Sequence, residues 1–267
     1  MREDLKKRFN DEGFVVVRDV FETSEIEFYR EVVKEAIKER KQFDERALED
    51  KSEYEKSFTQ CQNLWEDYID IRKLTFDQRI CRIASELLDV DAIRLWHDQA
   101  LVKESGGRET DPHHDQPYWP IKEVKTITAW IPLCDVDQTN GQLGFYPGSH
   151  KLSDKKFIDI FSGKVNEKEF LETSNLKSDE ISYQELKAGD VSFHHGLTFH
   201  RAKPNLSNKD RIVHTAIFFA DGSTRGDDKF HFSVDRPEIK VGQKIESDVT
   251  PLAYPVKDLP SRPEKGI

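Results

Sequence analysis

A chain of 267 residues with 51 acidic against 41 basic side chains, a net charge of −10, carries a field that repels polyanions, which argues against nucleic acid or an anionic membrane as partner. No stretch approaches the roughly 20 apolar residues a membrane span needs, and the opening M-R-E-D-L-K-K-R-F-N-D-E has no apolar signal core, so a cytoplasmic protein is expected. The cysteines Cys61, Cys81 and Cys134 form no C-x-x-C pair, which argues against a disulfide framework or a zinc–thiolate site.

In chain order, L-K-K-R-F-N-D-E predicts a short helix stopped by Gly13, and F-V-V-V-R-D-V-F a strand. Thr23-Ser24-Glu25-Ile26 opens a helix whose apolar residues recur near every 3.6 positions through Arg40. Phe43 to Phe58 is so charged that it reads as a solvated helix or a mobile loop, and a second amphipathic helix is expected over Phe76 to Leu88, burying Ile80, Ile83, Leu87 and Leu88. From Asp91 the pattern changes to short β-branched and aromatic runs: Ile93 to Lys103, Thr126 to Leu133, Leu143 to Ser149, Asp190 to His195 and Arg211 to Ala220. Asn140-Gly141 and Pro147-Gly148 supply turns, and His150 beside them reads as structural. No strand alternates with a long helix, which disfavours a parallel sheet. The expected fold is mainly β with N-terminal helices packed on one sheet of a jelly roll, a cupin-like double-stranded β-helix. It forms a single domain over 1–267, with a helical part at about 1–90, a jelly-roll core at about 91–222 and a C-terminal extension at 223–267.

The stretch D-P-H-H-D-Q-P-Y-W-P, Asp111 to Pro120, carries the chemistry. Side chains alternate along a strand, so His113 and Asp115 share one face and His114 points the other way. A third ligand has to come from a distant strand, and His194, His195 and His200 are available there. Two histidines and one carboxylate leave three metal positions open, the arrangement that handles Fe(II) and oxygen in non-haem oxygenases.

Four stretches, D98-Q-A-L-V-K-E, E109-T-D-P-H-H-D-Q-P-Y-W-P, T128-A-W-I-P-L-C-D-V-D-Q-T-N-G-Q-L-G-F-Y-P-G-S-H-K and A188-G-D-V-S-F-H-H-G-L-T-F-H-R-A-K-P-N-L-S-N-K-D-R, resemble in order and spacing the phytanoyl-CoA dioxygenase (PhyH) family of iron- and 2-oxoglutarate-dependent oxygenases. The likeness runs from the N-terminal G-F-V-V-V-R-D-V-F to about Gly222. It implies that His113, Asp115 and His200 are the catalytic metal ligands. It also implies that Arg211, eleven residues beyond His200, pairs with the far carboxylate of 2-oxoglutarate, a task suited to a planar guanidinium. Trp130 matches a tryptophan lining the cofactor pocket, Thr128 shares its face, and Gln99 and Lys103 share the face of a strand that offers polar groups to the same cavity. Gln116, Tyr118 and Trp119 are expected to contact substrate. Two positions depart from the family pattern: Ala202 replaces a polar residue two after the distal histidine, and His114 replaces a more usual glutamine.

The implied activity is hydroxylation of an unactivated C–H of a small molecule, with Fe(II), 2-oxoglutarate and O2 consumed or required, ascorbate supporting turnover, and succinate and CO2 released. Retention of Asp115 favours hydroxylation over the halogenation of related enzymes that lack this carboxylate. The alternatives are a cupin-type metal-binding isomerase and a catalytically silent protein that binds 2-oxoglutarate or metal. Acyl-CoA, amino acid, phosphonate, osmolyte and secondary metabolite all stay open as substrates. The charged stretches Ser52 to Tyr68 and Lys151 to Tyr183 tilt the expectation towards a small polar molecule.

Overall fold

The computed structural model describes residues 3–41, 46–152, 167–174 and 176–264. The chain runs α1 (Glu3–Glu12), β1 (Phe14–Val17), α2 (Thr23–Arg40), β2 (Thr59–Gln62), α3 (Leu64–Asp67), α4 (Ile69–Thr75), α5 (Gln78–Leu88), β3 (Ile93–Lys103) and β4 (Thr110–His113). It continues β5 (Thr126–Pro132), β6 (Leu143–Phe145), α6 (Glu167–Ser174), β7 (Ser182–Gln184), β8 (Val191–His195), β9 (His200–Ala202), β10 (Arg211–Ala220), α7 (Phe232–Asp235) and β11 (Leu252–Tyr254). The strands make two antiparallel sheets. The larger has the order β1-β8-β5-β10-β3-β11, with β2 also on β3, and the smaller has the order β4-β9-β6-β7.

Alternation divides the large sheet into two faces. On β5, Ile127, Ala129 and Ile131 join the core under the helices, whereas Trp130 packs between the sheets. The helices α1, α2, α4 and α5 supply Phe9, Val33, Leu74, Ile80 and Leu87 to the same outer core. Asp77 caps α5 by accepting from the Arg79 backbone N–H at 2.8 Å, and of the four residues expected on its inner face Ile83 is only partly buried while the other three are buried. The inner core is led by Phe14 and Phe145, whose rings stack 4.4 Å apart.

The outlying parts add strands to the large sheet. In the N-terminal part of about 1–90 the expected strand at Phe14 is β1 and pairs with β8, and an unexpected one, β2, pairs with β3. Strand β2 was missed since T-Q-C-Q has a single apolar residue, Cys61, and that side chain alone faces the core. The extension 223–267 likewise adds β11 to β3, with Leu252 opposite Arg94. Of the run Phe43 to Phe58, positions 43–45 lie outside the described residues. The rest holds a single 3-10 turn, Leu48–Asp50, and no α-helix.

One irregularity positions the site. Ile93 and Leu95 face the outer core, but so do Ala100 and Val102, so the alternation changes phase between them. The change occurs at a bulge where β10 residues Ile217 and Phe218 pair with His97 and Leu95. The extra residue, Trp96, turns inward with its neighbour His97.

Candidate active site

A cavity of about 300 Å³ opens between the sheets, at the small end of ligand sites. His113 reaches it from the end of β4 and His200 from the start of β9, strands that pair so that these two residues are register partners. Their rings lie 4.2 Å apart. Asp115 approaches between them, Oδ1 being 3.7 Å from His113 Nε2 and 3.8 Å from His200 Nε2. The three side chains are the one group among the described residues whose ligand atoms could jointly hold a metal, all within 4.8 Å of one another.

The period-two argument does not explain this grouping. Strand β4 stops at His113, and Asp115 has φ −79 and ψ −37 at the start of a 3-10 turn over Gln116–Tyr118. A turn, not strand alternation, swings its carboxylate back beside His113. His114 does point away, buried edge-on against Phe199 at 4.5 Å.

Backbone carbonyls orient both imidazoles. His113 Nδ1 lies 2.8 Å from Asp111 O, and His200 Nδ1 lies 3.0 Å from Thr198 O. A carbonyl only accepts, so both Nδ1 atoms carry the proton and both Nε2 lone pairs face the common point. Burial lowers the pKa of each ring, keeping it neutral. Burial alone would raise Asp115, but His200, His194 and His113 outweigh it and hold the carboxyl ionised.

Arg211, the first residue of β10, is buried over the Trp130 ring at 5.3 Å from its centroid. Burial pushes its pKa down to about 10, which leaves it protonated near neutrality, yet no carboxylate pairs with it and its Nε has no hydrogen-bond partner among the described residues. Gln99, Thr128, Trp130, Tyr118 and Trp119 line the same cavity. Thr128 also donates to Asp115 Oδ2 at 3.2 Å.

Two expected site residues are spent elsewhere. Lys103 does share a face with Gln99, but its ammonium is turned under the floor, donating to Ser57 O at 2.7 Å, Arg108 O at 2.6 Å and Thr110 Oγ1 at 3.2 Å. Gln116 is also outside the cavity lining. Its amide accepts from Thr126 Oγ1 and donates to Ile121 O, pinning the turn that carries Asp115. His150 lies apart as well, against Asn10 O at 3.2 Å.

His194, a third-ligand candidate in the sequence, instead supports a ligand: opposite Thr128 in the β5–β8 pairing, it sits with Nε2 3.3 Å from Asp115 Oδ2, on the inward face opposite the outward apolar Val191 and Phe193. Several other lining residues have no counterpart in the sequence reading. The charged stretch Ser52 to Tyr68 brings Tyr54, Phe58, Gln60 and Gln62 into the wall. The C-terminal extension brings His231 and Phe232 into the same wall. Of Lys151 to Tyr183, positions 153–166 and 175 lie outside the described residues.

The profile of the phytanoyl-CoA dioxygenase (PhyH) family matches residues 9–213. The chain belongs to this family. Among curated relatives, the phytanoyl-CoA dioxygenase domain-containing protein 1 homolog of Caenorhabditis briggsae is 27% identical over 154 residues, 54% of this chain and 52% of that protein. The matched region therefore spans about half the length of that PhyH relative. Among solved structures, the non-heme alpha-ketoglutarate-dependent carbocyclase SnoK from nogalamycin biosynthesis superposes with a TM-score of 0.78 at 23% identity, covering 94% of this chain and 96% of that one. EctD from S. alaskensis, crystallised with 2-oxoglutarate and 5-hydroxyectoine, gives a TM-score of 0.70 at 16% identity, covering 100% and 88%. These likenesses confirm the jelly roll. Among the described residues no helix is long and apolar enough to cross a membrane.

Proposed function

We propose that the chain is an Fe(II)- and 2-oxoglutarate-dependent dioxygenase that hydroxylates an unactivated C–H of a small molecule. The observation that carries this reading is the buried Arg211 guanidinium, without a carboxylate partner among the described residues, on the same cavity as His113, Asp115 and His200. A buried cation without a counter-ion is costly, and a dicarboxylate that reaches from the metal to Arg211 removes that cost.

The residues suit the metal. Two neutral imidazoles with Nδ1–H committed to carbonyls and one ionised carboxylate supply the mixed N/O donor set of a non-haem iron site with positions left open. When bound, iron, 2-oxoglutarate and O2 supply the oxidising power for C–H hydroxylation, with succinate and CO2 released. The chain's own part is positional. Asp111 and Thr198 carbonyls fix the imidazole planes, Thr128 and His194 hold the outer oxygen of Asp115, and Arg211 anchors the far carboxylate beside Trp130. Trp119 and Ile217, both buried, keep bulk water from the reacting C–H. We read 1–267 as one domain, because β1, β2 and β11 all belong to the sheet that carries Arg211, and the three free cysteines suit the cytoplasm.

The test is succinate formation by the purified protein with Fe(II), 2-oxoglutarate, O2 and ascorbate. Turnover that needs Fe(II), 2-oxoglutarate and O2 and disappears in His113→Ala is expected. Succinate release unchanged by that substitution would overturn the reading.

A further inference from the structure

Beyond the metal cluster and Arg211, the cavity carries two more imidazoles whose proton positions are dictated by the backbone. His97 Nδ1 lies 3.3 Å from Asp98 O. The carbonyl only accepts, so Nδ1 holds the proton and Nε2 offers a lone pair. His231 is the reverse: its Nδ1 accepts from the Ser233 backbone N–H at 3.2 Å, so in the neutral ring the proton sits on Nε2. Burial keeps both rings neutral, lowering His97 to about 4 and His231 well below the ordinary histidine value. The rings are 26° from parallel with centroids 5.6 Å apart, and His231 stacks on Trp96 at 4.3 Å. Both rings line the cavity, and neither Nε2 has a hydrogen-bond partner among the described residues.

The charges on the cavity wall are already committed. Asp115 belongs to the histidine cluster, Arg201 pairs with Glu109, and Arg211 is the anion anchor proposed above. The two rings pack against Trp96 and Phe232, and Tyr54, Phe58 and Trp119 add aromatic faces to the same cavity.

We propose that His97 and His231 form an acceptor–donor pair that selects an uncharged, ring-bearing substrate with a hydroxyl beside a carbonyl. The hydroxyl donates to His97 Nε2, the carbonyl accepts from His231 Nε2–H, and the ring packs on the aromatic wall. A zwitterionic amino acid would bury charge against two neutral rings there, and an acyl-CoA offers these rings no hydroxyl beside its thioester carbonyl. This departs from the expectation of a small polar substrate drawn from the charged loops, and it rests on the reading of the site as a 2-oxoglutarate oxygenase.

The test is calorimetric titration of the full chain loaded with Mn(II) and 2-oxoglutarate. The probes are benzoin, which has a hydroxyl beside a carbonyl between two phenyl rings, deoxybenzoin, which lacks the hydroxyl, L-phenylalanine and palmitoyl-CoA. Benzoin is expected to bind about tenfold or more tighter than deoxybenzoin, with no saturable binding of the two charged probes. His97→Phe should abolish that preference, and His97→Gln, which retains an acceptor, should restore part of it, with 2-oxoglutarate affinity unchanged in both. Benzoin binding no tighter than deoxybenzoin, or either charged probe binding better, overturns the inference while leaving the oxygenase reading intact. Failure of 2-oxoglutarate to bind the Mn(II)-loaded protein overturns both.

Discussion

His194 Nε2 lies 3.3 Å from Oδ2 of Asp115, whereas His113 and His200 face the other carboxylate oxygen, Oδ1. Thr128 Oγ1 donates to the same Oδ2 at 3.2 Å. The outer oxygen is thus gripped from β5 and β8, and the inner one faces His113 and His200.

Removing that grip should loosen the metal without removing a ligand. His194→Leu is expected to weaken Co(II) or Mn(II) binding by about 10–100-fold, the range found for lost outer-sphere partners, and Thr128→Val by less. Titration of the metal-free protein measures it, and wild-type affinity in His194→Leu would show that Asp115 needs no such support.

Arg211 makes a charge-specific prediction. Arg211→Met should weaken 2-oxoglutarate binding by about 10–100-fold, since a charge-assisted hydrogen bond contributes roughly 1.5–3 kcal/mol. Arg211→Lys should recover only part, because one ammonium does not reproduce the planar fork. The 2-oxoglutarate dissociation constant of the Mn(II) protein is the readout, and full recovery by lysine would rule out a bidentate contact.

Gly141 has φ +92, and a Cβ there would stand 2.7 Å from Lys103 Cδ and 3.4 Å from Arg211 Nε. Gly141→Ala should therefore cost about 1–3 kcal/mol through backbone strain and also weaken 2-oxoglutarate binding as Lys103 is pushed towards Arg211. Denaturant unfolding with a parallel 2-oxoglutarate titration separates the two effects. A stability loss with untouched affinity would mean the displacement never reaches Arg211.

Asp98, fully buried on the outer face of β3, accepts from Thr75 Oγ1 and the Trp65 backbone N–H, each at 2.9 Å. Burial raises its pKa from 3.8 to about 7. Between those values the folded state holds a proton that the unfolded state has released, so this group's contribution to stability falls as pH rises from about 4 to 7 and is flat above. Three units correspond to at most about 4 kcal/mol. His214, 3.7 Å away and lowered to about 3 by burial, slopes the opposite way between 3 and 6.5. The comparison that isolates Asp98 is therefore wild type minus Asp98→Asn. That difference should shrink as pH rises from 4 to 7, and a pH-independent difference would contradict it.

The long strands β3 and β10 were legible to the residue, because continuous apolar and β-branched runs bounded by turn residues leave little else possible. So was the cluster of His113, Asp115 and His200, though through motif order, since the local geometry that joins Asp115 to His113 is a turn. What could not be read depended on contacts across the fold. Lys103 has the right face, but its long side chain bends to three acceptors, Ser57 and Arg108 on loops and Thr110 on β4. His97 faces the cavity because of a bulge with no signature in I-R-L-W-H-D-Q. His231 reaches it from an extension whose route no local pattern reveals.

The division of the site between the two sheets has a mechanical consequence. His113 and His200 ride on β4 and β9 of the small sheet, whereas Arg211, Trp130, Thr128 and His194 ride on the large one. The gap between these two platforms is spaced by inner-core contacts such as the stacked rings of Phe14 and Phe145. A dicarboxylate clasped by the metal at one end and by Arg211 at the other would act as a strut between them. Thinning the spacer at Phe14 would then change the distance the strut must span, and so detune the reaction with every ligand and anchor still present.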